Sequence, residues 1–315
     1  IVSISILKSC LIETICEKII NSDTYNKNNI IEDFVFYCFL LGNDFVPKLP
    51  SVRIKDGSII RLISIYSSIL NNMNEFLIVK GKVNTAFLLQ LFENLALMEE
   101  DTLSAYTKYD IRRNNKYNGR DPYERDKYNF ENNIPKPTNH LNLGNNNYKN
   151  IYYLYYFDIC YDNEKEYIDN VCQNYLNTLQ WVYQYYYKKC IDWRFCYNYN
   201  ISPFISDLYE YISKNMNEIN NLDNFDTTNQ PFTSTQQLLL VLPIQSNHIL
   251  SDKYKYLQNK ESPIYDMYPS SFEEYSDNNN YRWQNIPKLP ELEYERVTNI
   301  VNEQYKKSKV LIIMK

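Results

Sequence analysis

The chain has 315 residues, with 33 Lys and Arg against 38 Asp and Glu, a net charge of −5 and a pI near 5.3. That length buries a substantial core as one large domain or two smaller ones, while the acidic balance means that any nucleic-acid contact is a local patch and not bulk charge. Two histidines argue against a zinc centre or a His-dependent nucleophile, seven cysteines without a Cys-x-x-Cys spacing read as reduced thiols of an intracellular protein, and no apolar run nears the roughly 20 residues that span a bilayer.

In chain order, Leu7, Leu11, Ile12, Ile15 and Ile19 recur at a helical period, predicting a helix over Leu7–Ile20. Ile30–Leu41 is apolar nearly all round and predicts an interior helix. It stops at Gly42, an Asn-Asp pair follows, and Pro47 and Pro50 keep a helix from resuming. Asp56-Gly57-Ser58 starts the next helix, whose face is Ile59, Leu62, Ile63, Tyr66, Ile69 and Leu70. Thr85–Tyr106 predicts a fourth, with Phe87, Leu88, Leu91, Phe92, Leu95 and Met98 as its stripe.

From Tyr109 to about Lys149 the chain is polar, charged and punctuated by Pro122, Pro135 and Pro137, the composition of a surface insertion or linker. Order is expected to return at Tyr152–Phe157. A long helix follows over Glu164–Tyr187, with Ile168, Val171, Tyr175, Leu179, Val182 and Tyr186 inward. An aromatic loop, Trp193–Phe204, leads to helices over Ile205–Met216 and Thr235–Leu242. Ser251–Pro290 has proline punctuation and little period, so irregular segments are expected there. The class is mainly α, an irregular multi-helical fold with a long insertion and a less regular C-terminal third. The expected segments are 1–105, 106–150 and 151–315.

Gly42-Asn43-Asp44 has two readings on these residues alone. Glycine followed by Asn or Asp is a common helix ending, and an Asp on a rigid turn is also a good metal ligand. One carboxylate does not make a catalytic magnesium site, which needs several. Glu32 and Asp33 are expected at the N-terminal end of the Ile30 helix, where its dipole favours them. In the aromatic loop a ring can stack a nucleobase, worth roughly 1–3 kcal/mol, or fill the core. Tyr183, Tyr185, Tyr186 and Tyr187 point around a helix, so most are expected to be packing. Lys188, Lys189 and Arg194 flank the loop as phosphate contacts or as a solvated helix end. The run Arg112, Arg113, Lys116, Arg120, Arg125 and Lys127 is interleaved with acids and reads as solvated charge. No glycine-rich phosphate loop is present.

Several segments taken in order resemble the Xrn/Rat-type 5′→3′ exoribonuclease family. DFVFYCFLLGNDFVPKLP at Asp33–Pro50 is similar to that family's last metal-ligand motif. LQWVYQYYY at Leu179–Tyr187 with WRFCYNYNISPF at Trp193–Phe204 resembles its second conserved region. QQLLLVLP at Gln236–Pro243, SPIYDMYP at Ser262–Pro269, then Trp283 and Leu289-Pro290 follow in the family's order. The resemblance covers the chain outside roughly 106–150.

This resemblance implies that Asp44 is a catalytic metal ligand, holding Mg2+ or Mn2+ with carboxylates from an N-terminal nuclease domain. It implies a substrate of single-stranded RNA with a 5′-monophosphate, digested processively; the lack of a bilayer-length apolar run points to no membrane partner. Trp193, Phe195 and Trp283 become stacking candidates, with Lys188 and Arg194 as RNA contacts. Three departures stand out: Phe195 where the family has a second Trp, Asn200 where it has His, and Lys48 where His is common. The chain starts at Ile1 and reads as a piece of a longer protein, so by itself it is expected to be inactive. An intracellular, cytoplasmic setting is expected, although the family works in the nucleus as well. The alternative is a non-catalytic RNA-binding scaffold that kept the helical architecture.

Overall fold

The structure, a computed structural model, describes residues 3–114, 143–219, 225–275, 285–290 and 293–313. These residues are mainly helical, as the periodicities predict, and they divide into two compact units that part between Thr228 and Asn229.

In the first unit α1 spans Ile4–Cys16 and α2 spans Lys27–Cys38, which begins under an Asn26 cap that accepts from the Asn28 amide at 2.9 Å. A tight turn, Phe39–Leu41, continues it. The interior placement of this stretch holds: Ile30, Phe36, Tyr37, Phe39 and Leu40 are all buried. α1 differs from its expectation. Ile15 is its buried residue, while Leu7 on the predicted apolar stripe is exposed, as are Ile4 and Ile6.

α3 spans Ser58–Met73 and starts at the Asp56-Gly57-Ser58 signal. A two-residue hairpin follows, β1 (Ile78–Val79) antiparallel to β2 (Lys82–Val83), turning through Lys80 and Gly81, both at positive φ. α4 spans Thr85–Ala96, with the Asn84 side chain accepting from the Ala86 and Phe87 amides; α5 spans Glu99–Asn114. The single helix expected over Thr85–Tyr106 is therefore broken at Leu97-Met98. α5 also runs into the stretch expected to be a linker. Residues 115–142, the bulk of that stretch, lie outside the described residues.

α6 spans Tyr148–Phe157, earlier than its predicted start, and α7 spans Lys165–Tyr187. The inward stripe of α7 is right for Ile168, Val171, Tyr175, Leu179 and Val182 but wrong for Tyr186, which is exposed. α8 spans Ile205–Ile219 and packs on α4 and α7.

Three buried carboxylates fasten these elements. Asp33 sits two turns inside α2, not at its N-terminal end, because the helix begins at Lys27. It accepts from the Tyr66 hydroxyl of α3 at 2.9 Å and from the Leu77 and Ile78 amides at 2.8 Å, tying the hairpin to two helices. Burial is the largest effect on it and pushes its pKa up to about 7, against the opposing pull of these three donors. Glu99 accepts from the Ile205 and Ser206 amides at 2.9 and 3.0 Å, capping α8 from the start of α5. Asp207 accepts from Lys149, Tyr153 and Tyr161, each at 2.7 Å, holding α8 to α6 and the segment after it.

The second unit has its own core of Leu239, Leu250, Tyr254, Leu257, Ile264, Met267, Tyr268, Val297 and Val301. α9, Ser234–Val241, opens on a reciprocal cap between Thr233 and Gln236 and ends before Pro243 as predicted. Short turns and α10 (Asp252–Lys255) lead to β3 (Glu274–Tyr275), paired with β4 (Ile286–Pro287), and then to α11 (Tyr294–Ile313). This matches the irregularity expected of Ser251–Pro290. No helix among the described residues is long and apolar enough to cross a membrane.

Candidate functional site

The turn after α2 is built to present one side chain. Gly42 adopts φ 87°, a conformation that glycine alone takes without strain, and a Cβ there would stand 2.8 Å from the Lys48 amide nitrogen. Asn43 closes the loop: its side-chain oxygen accepts from the Phe45 amide at 2.8 Å and the Val46 amide at 3.0 Å, and its own amide donates to the Val46 carbonyl at 3.0 Å. Asp44, between the turn's anchored residues, is left exposed at its tip.

The far limb is equally held. Val46 and Leu49 are buried, and the Leu49 amide donates to the Leu40 carbonyl at 3.1 Å. The Tyr175 hydroxyl of α7 donates to the Pro47 carbonyl at 3.0 Å. Ser202 of the aromatic loop donates to the Lys48 carbonyl at 2.7 Å. Gly42-Asn43-Asp44 thus ends the helix in a turn clamped from two later parts of the chain.

That clamping creates a cleft of about 370 Å³ between Asp44, Phe45 and Pro47 on one side and Thr178, Trp181, Phe195, Tyr197, Tyr199 and Asn200 on the other. Its aromatic wall is preorganised. Trp181 is buried, donates from its indole nitrogen to the Asp192 carbonyl at 3.0 Å, and lies near-parallel to Tyr185 (centroids 5.3 Å apart, 6°) and to Phe195 (5.9 Å, 25°). Phe45 meets the Trp181 and Tyr185 rings edge-on at 5.3 and 5.0 Å. Asp192 folds the loop beneath by accepting from the Arg194 and Phe195 amides at 2.9 and 3.0 Å and from the Asp226 amide at 3.0 Å. Burial keeps the Tyr197 and Tyr199 phenols above their ordinary range, so both stay neutral hydroxyls in the wall.

Of the residues singled out from sequence, Asp44 and Phe195 are brought together here. Trp193 is half-exposed and does not line the cleft, and neither does Arg194. Lys188 is directed elsewhere, its amine standing 2.6 Å from where a Cβ on Gly81 would lie, over the β1–β2 turn. Trp283 lies outside the described residues. Of the four α7 tyrosines expected to be mostly packing, Tyr183 is buried, and Tyr185, Tyr186 and Tyr187 are part-exposed while each packs one side against another ring. Trp181, which the aromatic-loop motif does not include, also lines the cleft. Its signal was present, a tryptophan one helical turn before Tyr185 on the helix that precedes the aromatic loop.

Chemically, Asp44 is the single formal charge among the described lining residues. No group of three or more His, Cys, Asp or Glu side chains among the described residues is placed to hold a metal ion. These residues do not by themselves fit a metal centre; Asp44 supplies a single carboxylate on a rigid turn.

Comparison with known proteins gives the chain's family. The family model of the Xrn1 helical domain matches residues 24–140 and 122–309. The 5′-3′ exoribonuclease 2 of Gallus gallus is 24% identical over 350 residues, covering 90% of this chain and 36% of that protein. The 5′-3′ exoribonuclease 1 of Homo sapiens is 24% identical over 313 residues, covering 87% and 18%. The 5′-3′ exoribonuclease 2 of Schizosaccharomyces pombe is 34% identical over 159 residues, covering 50% and 15%. The chain thus spans about a third or less of the length of these relatives.

Proposed function

The chain belongs to the family of the Xrn1 helical domain, and from that premise we propose that it is the helical part of a 5′→3′ exoribonuclease that processively hydrolyses single-stranded RNA bearing a 5′-monophosphate. The observation that carries this reading is the joining of Asp44 and the Trp181–Phe195 ring wall in one cleft. An aromatic wall accepts bases of any sequence, because every base has a π-face. The carboxylate at the rim has a different task. Alone it repels phosphate, so it belongs to a site in which a divalent cation, Mg2+ or Mn2+, is shared with carboxylates of the N-terminal nuclease domain; such an ion offsets phosphate charge and activates water. This chain's own contribution is positional. The Gly42–Lys48 contact and the Tyr175 and Ser202 clamps fix where the Asp44 oxygens stand relative to the ring wall.

On this reading the chain by itself does not hydrolyse RNA. The test is Asp44→Ala in the complete protein, assayed on 5′-monophosphorylated single-stranded RNA. Hydrolysis should fall by at least about 100-fold, the scale on which preorganised electrostatic groups act, with the melting temperature unchanged because Asp44 is exposed. Retained turnover refutes the ligand role. A wild-type protein that binds RNA and leaves it intact supports the non-catalytic scaffold instead.

A further inference from the structure

The last turn of α7 carries three consecutive exposed tyrosines, Tyr185 (42%), Tyr186 (53%) and Tyr187 (41%). Each is backed by another ring: Tyr185 by Trp181, Tyr186 by Phe39 at 5.2 Å, and Tyr187 by Tyr183 at 5.2 Å. The surroundings of the three rings differ. Tyr187 stacks on Tyr183, whose hydroxyl donates to the Glu32 carboxylate, so the local charge there opposes a phosphate backbone. Tyr186 leans on Phe39, which is not part of the cleft. Tyr185 alone rests on Trp181 and Phe45, which both line the Asp44 cleft, while its third ring neighbour, Tyr186, meets only its edge, at 6.0 Å.

We propose that Tyr185 is a stacking platform for a nucleobase of the strand that occupies the Asp44 cleft, an assignment that rests on the exoribonuclease reading above. Trp181 covers one ring face at an interplanar angle of 6°, and Phe45 braces the edge, so the ring is already ordered and its remaining exposure is available to a base. Little side-chain freedom is left to lose on binding. Tyr185, Trp181 and Phe195 then form one ladder of near-parallel rings, whose inner members line the cleft and whose outer member meets RNA. The contact is indifferent to base identity, as processive digestion of any sequence requires.

The test uses the complete protein and a 5′-monophosphorylated single-stranded RNA with hydrolysis-resistant phosphorothioate linkages and 2-aminopurine near its 5′ end. Wild type and Tyr185→Phe should bind with equal affinity and quench the 2-aminopurine. Tyr185→Leu should bind on the order of 10- to 100-fold more weakly, the range for loss of one base–aromatic stack, and lose the quenching. Tyr186→Leu, an equally exposed ring on the same turn, should bind like wild type. Wild-type affinity in Tyr185→Leu, or an equal loss in Tyr186→Leu, overturns the assignment to Tyr185 and leaves the exoribonuclease reading standing. A wild-type protein that does not bind the RNA overturns both. Should Tyr185→Leu fail to fold, Tyr185→Trp carries the test: its larger ring should tighten binding, and unchanged or weaker affinity overturns the proposal.

Discussion

Gly42 and Lys48 approach so closely that a methyl group on the first would stand 2.8 Å from the amide nitrogen of the second. The contact closes the turn that carries Asp44, and it exists only because residue 42 has no side chain and takes a positive φ.

Gly42→Ala is therefore expected to cost about 2–4 kcal/mol, combining a strained backbone with a clash that the clamped turn cannot relieve. Gly57→Ala is the control, since Gly57 also has positive φ but nothing lies within 4 Å of a Cβ there; about 1 kcal/mol is expected. Urea denaturation of the two variants measures the difference. Equal losses would mean that the Lys48 contact is not what demands glycine.

The Asp33 carboxyl sets a pH dependence. Its folded pKa, raised by burial to about 7, lies above the unfolded value of 3.8, so the folded chain binds a proton that the unfolded chain has released. That contribution is fully present below about pH 4 and is lost as pH rises through about 7, on the order of 4 kcal/mol across the window. Asp33→Asn removes the titration. Wild type should lose stability relative to this variant between pH 4 and 7, and a difference that does not change over that range would contradict the account.

Glu99→Ala leaves the Ile205 and Ser206 amides buried without their acceptor. The expected loss is about 2–4 kcal/mol, the cost of two unpaired amides at a helix start. Glu99→Gln keeps one side-chain oxygen and should lose less. Hydrogen exchange at the first turn of α8 reports it directly: protection there should fall in Glu99→Ala before it falls in α3.

Phe195 and Trp193, two residues apart in the aromatic loop, should separate stability from contact. Phe195 packs against Trp181 and meets Phe225 edge-on at 5.1 Å, so Phe195→Ala should cost about 2–4 kcal/mol. Trp193 is half-exposed, and Trp193→Ala should cost under about 1 kcal/mol. Thermal melts of the pair decide this, and a larger loss at Trp193 would reverse the assignment.

Much of the helical order was legible from local pattern. The Asp56-Gly57-Ser58 start, the α4 stripe through Leu95 and the Pro243 stop each depend on residues within a turn or two of one another, so periodicity and punctuation suffice. The misses share a cause. Asp33 read as a dipole partner because its true partners, Leu77 and Ile78, lie more than 40 positions away. Tyr186 read as core because its spacing on α7 is right, while the surface that would cover it is not supplied by the neighbouring helices. The break at Leu97-Met98 has no proline or glycine to announce it; Glu99 is drawn instead to the start of α8.

The candidate site divides the same way. By itself the sequence determined a rigid turn with a carboxylate at residue 44 and an aromatic loop at 193–204, since glycine, Asn and proline dictate local backbone and ring density is plain composition. That Asp44 and Phe195, and not Trp193, line one cleft, that Trp181 stacks on Phe195 in its wall, and that Lys188 turns to Gly81 were decided by tertiary structure alone. Those relations depend on the Tyr175 and Ser202 hydroxyls reaching the carbonyls of Pro47 and Lys48, bonds that span well over 100 residues and that no local spacing encodes.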